Sequence, residues 1–216
     1  MTTDDQLIQS QFDELVNEFN HLHLEKEPSG IWSIKGLLGF VGDYAGQIIE
    51  DEYEILMDVA EDYPKSLPKI WETGTRIPKD FHKYGDESLC LGAPLAIKAK
   101  FSEDPTLSGL IRNCLIPYLY SFSYYMSYGN LPFGELSHGV QGIYEYYSEL
   151  FLIKDKNSIL KLLRILAGDN YRGHLPCPCG SEKRLRSCHG SIVLKIKGLQ
   201  PPVDFQNEYK YLLRDK

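Results

Sequence analysis

Between residues 4 and 19 the apolar positions Leu7, Ile8, Phe12, Leu15, Val16 and Phe19 recur at spacings of three and four among polar neighbours. That is the period of a helix with one buried face. Pro28, Ser29 and Gly30 interrupt the chain, and the run Ile31, Trp32, Ile34, Leu37, Leu38 and Phe40 then predicts a strand. From Gln47 to Val59 the pattern changes to strict alternation, with Tyr53, Ile55, Met57 and Val59 opposed to Glu52, Glu54 and Asp58. Alternation of this kind fits an antiparallel strand with one face in water. After Tyr63-Pro64 and Leu67-Pro68, residues 69–77 read as a third strand, and short connections between successive strands favour a meander.

The second half is helical in character. Asp104-Pro105 looks like an N-cap followed by proline at the first helical position. Leu107, Leu110, Ile111, Cys114, Leu115, Tyr118 and Leu119 continue on one stripe, which Pro117 should kink. A glycine-studded turn leads into a helix over 140–151, and a further helix over 157–167 stops at Gly168. The remainder offers a short apolar strand at 192–196 and an amphipathic stretch at 205–213. The order predicts an α+β fold: an N-terminal helix, an antiparallel meander and C-terminal helices in a domain spanning 1–168, with a small tail over 169–216.

Composition adds bounds rather than a function. The 216 residues, 43% hydrophobic, suffice for one main core with an appendage. No apolar run is long enough to cross a bilayer, and the acidic start MTTDDQLIQSQFDEL has no signal-peptide character. The expectation is a cytoplasmic protein without membrane association. The net charge of −7 disfavours nucleic acid as a partner. From Arg172 to Lys197, however, six Lys and Arg face the single Glu182, a local charge of +5 that leaves −12 elsewhere. This basic run is open to two readings, a contact for an acidic partner or a solvated face. Five cysteines, an odd number, argue against a disulfide framework.

Three of those cysteines stand with a histidine in CPCGSEKRLRSCHG, where Cys177, Cys179, Cys188 and His189 have the spacing C-x-C-x8-C-H. Three thiolates and one imidazole form a closed tetrahedral set for Zn2+, which leaves no open position for substrate and points to a structural ion. Gly180 lets the backbone turn around the metal, and the neighbouring lysine and arginines offset the thiolate charge. The segment 177–190 resembles the SEC-C zinc motif of the C-terminal module of the SecA motor. Such modules recur on many proteins, so the resemblance implies zinc and names no reaction.

Cys114 sits on the apolar helical stripe and reads as core. Cys90 differs, because it follows the polar loop HKYGDES and is bracketed by Leu89 and Leu91. A thiol so placed can be a small buried hydrophobe or a soft nucleophile that carries an acyl group as a thioester. Tyr63-Pro64 before the third strand and Leu89-Cys90-Leu91 after it resemble the corresponding motifs of ubiquitin-conjugating enzymes, over roughly residues 1–150. The resemblance implies a ubiquitin-conjugating-enzyme-like fold and makes Cys90 the nucleophile. The family's His-Pro-Asn tripeptide is absent; His82-Lys83-Tyr84 stands eight residues before Cys90. His82 can orient Cys90 or play a purely structural part. His138, in GELSHG, can act as base or donor, or cap a turn, and Asp86 is a further candidate to assist.

A conjugating-enzyme-like domain joined to this zinc tail resembles the stand-alone conjugating proteins of CBASS anti-phage operons. That resemblance implies a cGAS/DncV-like nucleotidyltransferase as the carried partner, its C-terminal residue joined to Cys90 and its second-messenger synthesis thereby regulated. The chain has no G-x-x-x-x-G-K-[ST] and no strand-coupled G-x-G-x-x-G. Direct ATP binding is therefore not expected, and the acyl group must arrive activated. The alternative is a non-catalytic, zinc-containing binding module that docks a partner protein.

Overall fold

The computed structural model describes residues 3–133, 139–168 and 171–214. The chain divides into two compact units, one formed by residues 1–91 and 100–135, the other by 92–99 and 136–216. The expected boundary after residue 168 does not coincide with this division.

The first unit opens with helix α1 (Thr3–Leu15) and continues into a four-stranded antiparallel sheet in the order β1-β2-β3-β4. The strands are β1 (Leu22–Lys26), β2 (Trp32–Tyr44), β3 (Gln47–Val59) and β4 (Lys69–Glu72). The expected meander is present with one strand more than the pattern predicts, β1, and with β4 ending five residues before Ile77. Ile34 pairs with Met57 and Leu38 with Tyr53 across β2 and β3, and all four are fully buried. Glu52 and Glu54 on the other face of β3 are exposed. The period-2 pattern thus becomes a core face and a solvent face.

A long loop from Thr73 leads to α2 (Pro94–Glu103), a helix the periodicity does not announce. The predicted N-cap at Asp104 is displaced. Thr106 caps α3 (Leu107–Leu110), its Oγ1 accepting from the Gly109 amide at 2.9 Å, while Asp104 accepts from the Thr106 hydroxyl and from Arg112. A π-helical turn (Ile111–Leu115) follows, then α4 (Ile116–Tyr128) with Pro117 in its first turn. Proline lacks an N–H, and its ring crowds the carbonyl four residues back, here that of Asn113. The expected kink is accordingly taken up one turn earlier, as a widening of the helix. Cys114 lies in that turn, 2% exposed, and burial raises its pKa, so the core reading holds.

The second unit is helical: α5 (Gly139–Phe151), α6 (Lys156–Ala167), α7 (Gly190–Lys197) and α8 (Pro202–Arg214). Tyr147 and Phe151 of α5 and Ile159, Leu162, Leu163 and Leu166 of α6 share one core with residues of α7 and α8, among them Val193, Ile196, Phe205 and Leu212. The amphipathic faces of α5 and α6 are satisfied by the C-terminal helices, which is why 139–167 groups with the tail. The strand expected at 192–196 is part of α7.

Candidate functional site

The sheet positions Cys90 through a chain of backbone bonds. The Leu89 amide donates to the Ile70 carbonyl of β4 at 2.7 Å, and Lys83 and Leu89 form an isolated antiparallel bridge. The turn between them is closed by the Tyr84 amide on the Ser88 carbonyl at 2.8 Å. The Cys90 amide donates to the His82 carbonyl at 2.8 Å. In such a ladder the side chains next to the Lys83-Leu89 pair project on the face opposite to it. Tyr84 and Cys90 therefore lie on the face away from buried Leu89, where Tyr84 is exposed and Ser88 buried. The Tyr84 phenol neighbours Cys90, and local burial together with the thiol beside it pushes its pKa above the usual phenol range, although the residue as a whole is exposed. Cys90 itself is half-buried.

Two further anchors hold the loop. The Tyr118 hydroxyl of α4 donates to the carbonyls of Phe81 at 2.9 Å and His82 at 3.2 Å. Lys83 Nζ donates to the Ile77 carbonyl at 2.8 Å and lies 3.9 Å from Glu72, their side chains 6% and 0% exposed. Glu72 also accepts from the amides of Arg76 and Ile77, both at 3.1 Å. A buried carboxylate at the end of β4 therefore fixes both the turn after the strand and the hairpin that presents Cys90.

Among the candidate assisting residues, His82 meets Cys90 through the main chain, and its ring lies edge-on to Phe81. Asp86 receives Lys69 at 2.8 Å, and Lys69 with the Ser88 hydroxyl holds its carboxyl well below the usual carboxylate range. Its work is to close the turn. His138 lies outside the described residues. Tyr84 was not among the sequence candidates; the turn sequence Gly85-Asp86 within a polar loop was the available signal for the hairpin that brings it to the thiol.

The second candidate site lies wholly within the second unit. Ligand atoms of Cys177, Cys179, Cys188 and His189 all lie within 4.8 Å of one another, a cluster that could hold a metal ion. A hairpin builds it: the Cys177 amide donates to the Lys183 carbonyl at 2.8 Å, and Leu185 pairs back to Leu175 at 2.8 Å. Gly180 turns the chain with φ +78°, as its position in the motif requires. His189 stands at the N-cap of α7. Its Nε2 donates to the Phe151 carbonyl at 2.8 Å. A carbonyl only accepts, so the proton resides on Nε2 and the Nδ1 lone pair faces Cys177 and Cys188, each 3.2 Å away. Cys179 and Cys188 are 3.5 Å apart. Burial pushes the Cys177 thiol up, whereas the Ser181 hydroxyl and amide and the neighbouring thiols overcome burial to hold Cys179 low.

Gly190, next to the histidine, permits the approach of Tyr171 and Leu185, because a Cβ there would collide with the Tyr171 hydroxyl and the Leu185 carbonyl. Among the described residues, no helix is long and apolar enough to cross a membrane. The sequence matches no protein-family model, and no curated protein matches it.

Proposed function

We propose that the protein is a cysteine-dependent, ubiquitin-conjugating-enzyme-like transferase that carries the C-terminus of a cGAS/DncV-like nucleotidyltransferase on Cys90 and so regulates second-messenger synthesis in anti-phage defence. The observation that carries the reading is the presentation of Cys90: half-buried and fixed by its own amide on the His82 carbonyl and by the Leu89 amide on Ile70 of β4. A helix followed by an antiparallel meander and a cysteine loop is the element order that the resemblance implies, and the order α1-β1-β2-β3-β4 supports it. The partner rests on the resemblance alone.

In the reaction, the Cys90 thiolate attacks the activated C-terminal carbonyl, forming the C–S bond and expelling the activating group with its electron pair. An incoming amine then forms the C–N bond, releases the thiolate and loses a proton to solvent. In this reading Tyr84, near Cys90 in the same hairpin, donates a hydrogen bond at the sulfur and takes over work of the missing His-Pro-Asn asparagine.

The metal of the second unit is Zn2+ in this reading. Zn–S bonds of about 2.3 Å give tetrahedral S···S edges of roughly 3.8 Å, and the 3.5 Å between Cys179 and Cys188 is close to that. With all four positions filled by protein, the ion is structural and supplies folding free energy. This closed site is also the observation that favours the second reading, a non-catalytic module that docks a partner.

Co-expression with a cGAS/DncV-like nucleotidyltransferase separates the two readings by intact mass and non-reducing gels. A covalent adduct lost on thiol treatment, converted to a thiol-resistant ester by Cys90→Ser and absent in Cys90→Ala, is the expected result. Non-covalent co-purification of all three forms without any adduct would instead establish the docking module.

A further inference from the structure

Beside the metal cluster the second unit carries a cleft of about 890 Å³, within the range of natural ligand sites. Its walls come from three segments. Helix α6 supplies Lys161, Arg164 and Ile165, which share a helix face at spacings of three and four. The approach to the metal hairpin supplies Arg172 and Leu175, and α8 supplies Tyr209.

The electrostatics of this cleft are one-sided. Among the described residues its lining includes three cations and no carboxylate. None of Lys161, Arg164 and Arg172 makes an ion pair among the described residues, although the chain as a whole carries −7 and pairs several of its other lysines and arginines. The lining also includes the apolar side chains of Ile165 and Leu175, and Leu175 is 45% exposed. A solvated basic face needs no concavity and no uncovered leucine. A phosphate-backbone site needs cations spread along the path of the strand, whereas these three share one cleft with apolar side chains.

We propose that this cleft docks an acidic peptide segment of a partner protein, which lays a large apolar side chain on Leu175 and Ile165 and directs its carboxylates to Lys161, Arg164 and Arg172. Positive potential facing an acidic segment raises the association rate and selects against basic partners. The apolar anchor supplies the part of the affinity that salt does not screen. The proposal is independent of the thiol chemistry at Cys90.

The test pans the full, zinc-loaded chain against a phage library of random twelve-residue peptides, then measures the selected peptides in solution by fluorescence anisotropy. The expected consensus pairs Asp and Glu with one large aliphatic or aromatic residue. Affinity should fall roughly tenfold or more in Arg164→Glu and Arg172→Glu and weaken with added salt. Leu175→Ser should weaken binding as well, and circular dichroism and zinc content of each variant should match those of the parent. No selected binder, a consensus without acidic residues, or binding indifferent to all three substitutions would overturn the proposal. A single-stranded oligonucleotide that displaces the peptides and binds more tightly would reassign the cleft to nucleic acid.

Discussion

His189 donates from Nε2 to the Phe151 carbonyl at the C-terminal end of α5 and turns its other nitrogen toward two thiols at 3.2 Å. The ligand set is thereby fastened to the core of the second unit, where Phe151 is 1% exposed. Metal removal should loosen that core as well as the hairpin. Purified protein is expected to hold a single equivalent of zinc by elemental analysis. Stripping it with a strong chelator, or replacing Cys188 with Ser, should lower the thermal midpoint and increase hydrogen exchange in α5 and α7 more than in the sheet.

Gly190 tests the same region without touching a ligand. A Cβ at this position meets the Tyr171 hydroxyl and the backbone carbonyl of Leu185, and the carbonyl cannot swing aside as a side chain can. Gly190→Ala should cost about 1–3 kcal/mol by overpacking, measured by urea unfolding with the metal bound.

Glu208 gives the second unit a distinct pH signature. Burial raises its pKa, against hydrogen bonds from Tyr147 and Gln200 at 2.6 and 2.9 Å. A folded state that holds the proton more tightly than the unfolded chain loses stability as pH rises through the folded value. The loss is absent below the ordinary value of 4.5. Relative to Glu208→Gln, the parent protein should therefore become progressively less stable above about pH 4.5. A flat difference between the two across pH 4–8 would exclude this.

Asp51 in the first unit has the opposite sign. Burial works against its ionisation, yet the two-pronged Arg76 contact at 2.8 and 2.9 Å and the Ser123 hydroxyl lower its pKa to about 2. Its contribution is present above 3.8 and disappears as pH falls toward 2. Asp51→Asn should cost about 1–2 kcal/mol at neutral pH, and the difference from the parent protein should close in acid denaturation between those values.

Thiol accessibility discriminates the cysteines directly. In zinc-loaded, folded protein, a maleimide should modify Cys90 first and leave Cys114, 2% exposed, unmodified. Tyr84→Phe should leave that modification site unchanged while slowing thioester discharge by roughly a hundredfold, followed as a separate single-turnover step.

Where one period dominated, the sequence was legible. The alternation of β3 and the i, i+3, i+4 stripe of α1 appear in the fold almost as written. The failures have physical causes. β1 buries only Leu22 fully and exposes His23, Glu25 and Lys26, so an edge strand left too little pattern to detect. Residues 192–196 are rich in β-branched side chains and read as a strand. The fold instead buries Val193 and Ile196 and exposes Leu194, a spacing of three imposed by packing on the core and by a helix start at His189. The four residues of the candidate metal cluster were readable because their spacing is local. Tyr84 was not, because its approach to Cys90 depends on the Lys83-Leu89 pairing and on the anchorage to β4.

The division of the chain has a practical corollary. Residues 92–99 belong with the second unit, although 100–135 return to the first. Neither unit is a continuous stretch of sequence, so no single stop codon or N-terminal deletion can isolate one intact. A truncation after residue 168 would remove the helices that cover α5 and α6 and leave their apolar faces in water. An insoluble or inactive fragment from such a cut would report the break in that core, and the separate contributions of the two units are better read from point substitutions in the intact polypeptide.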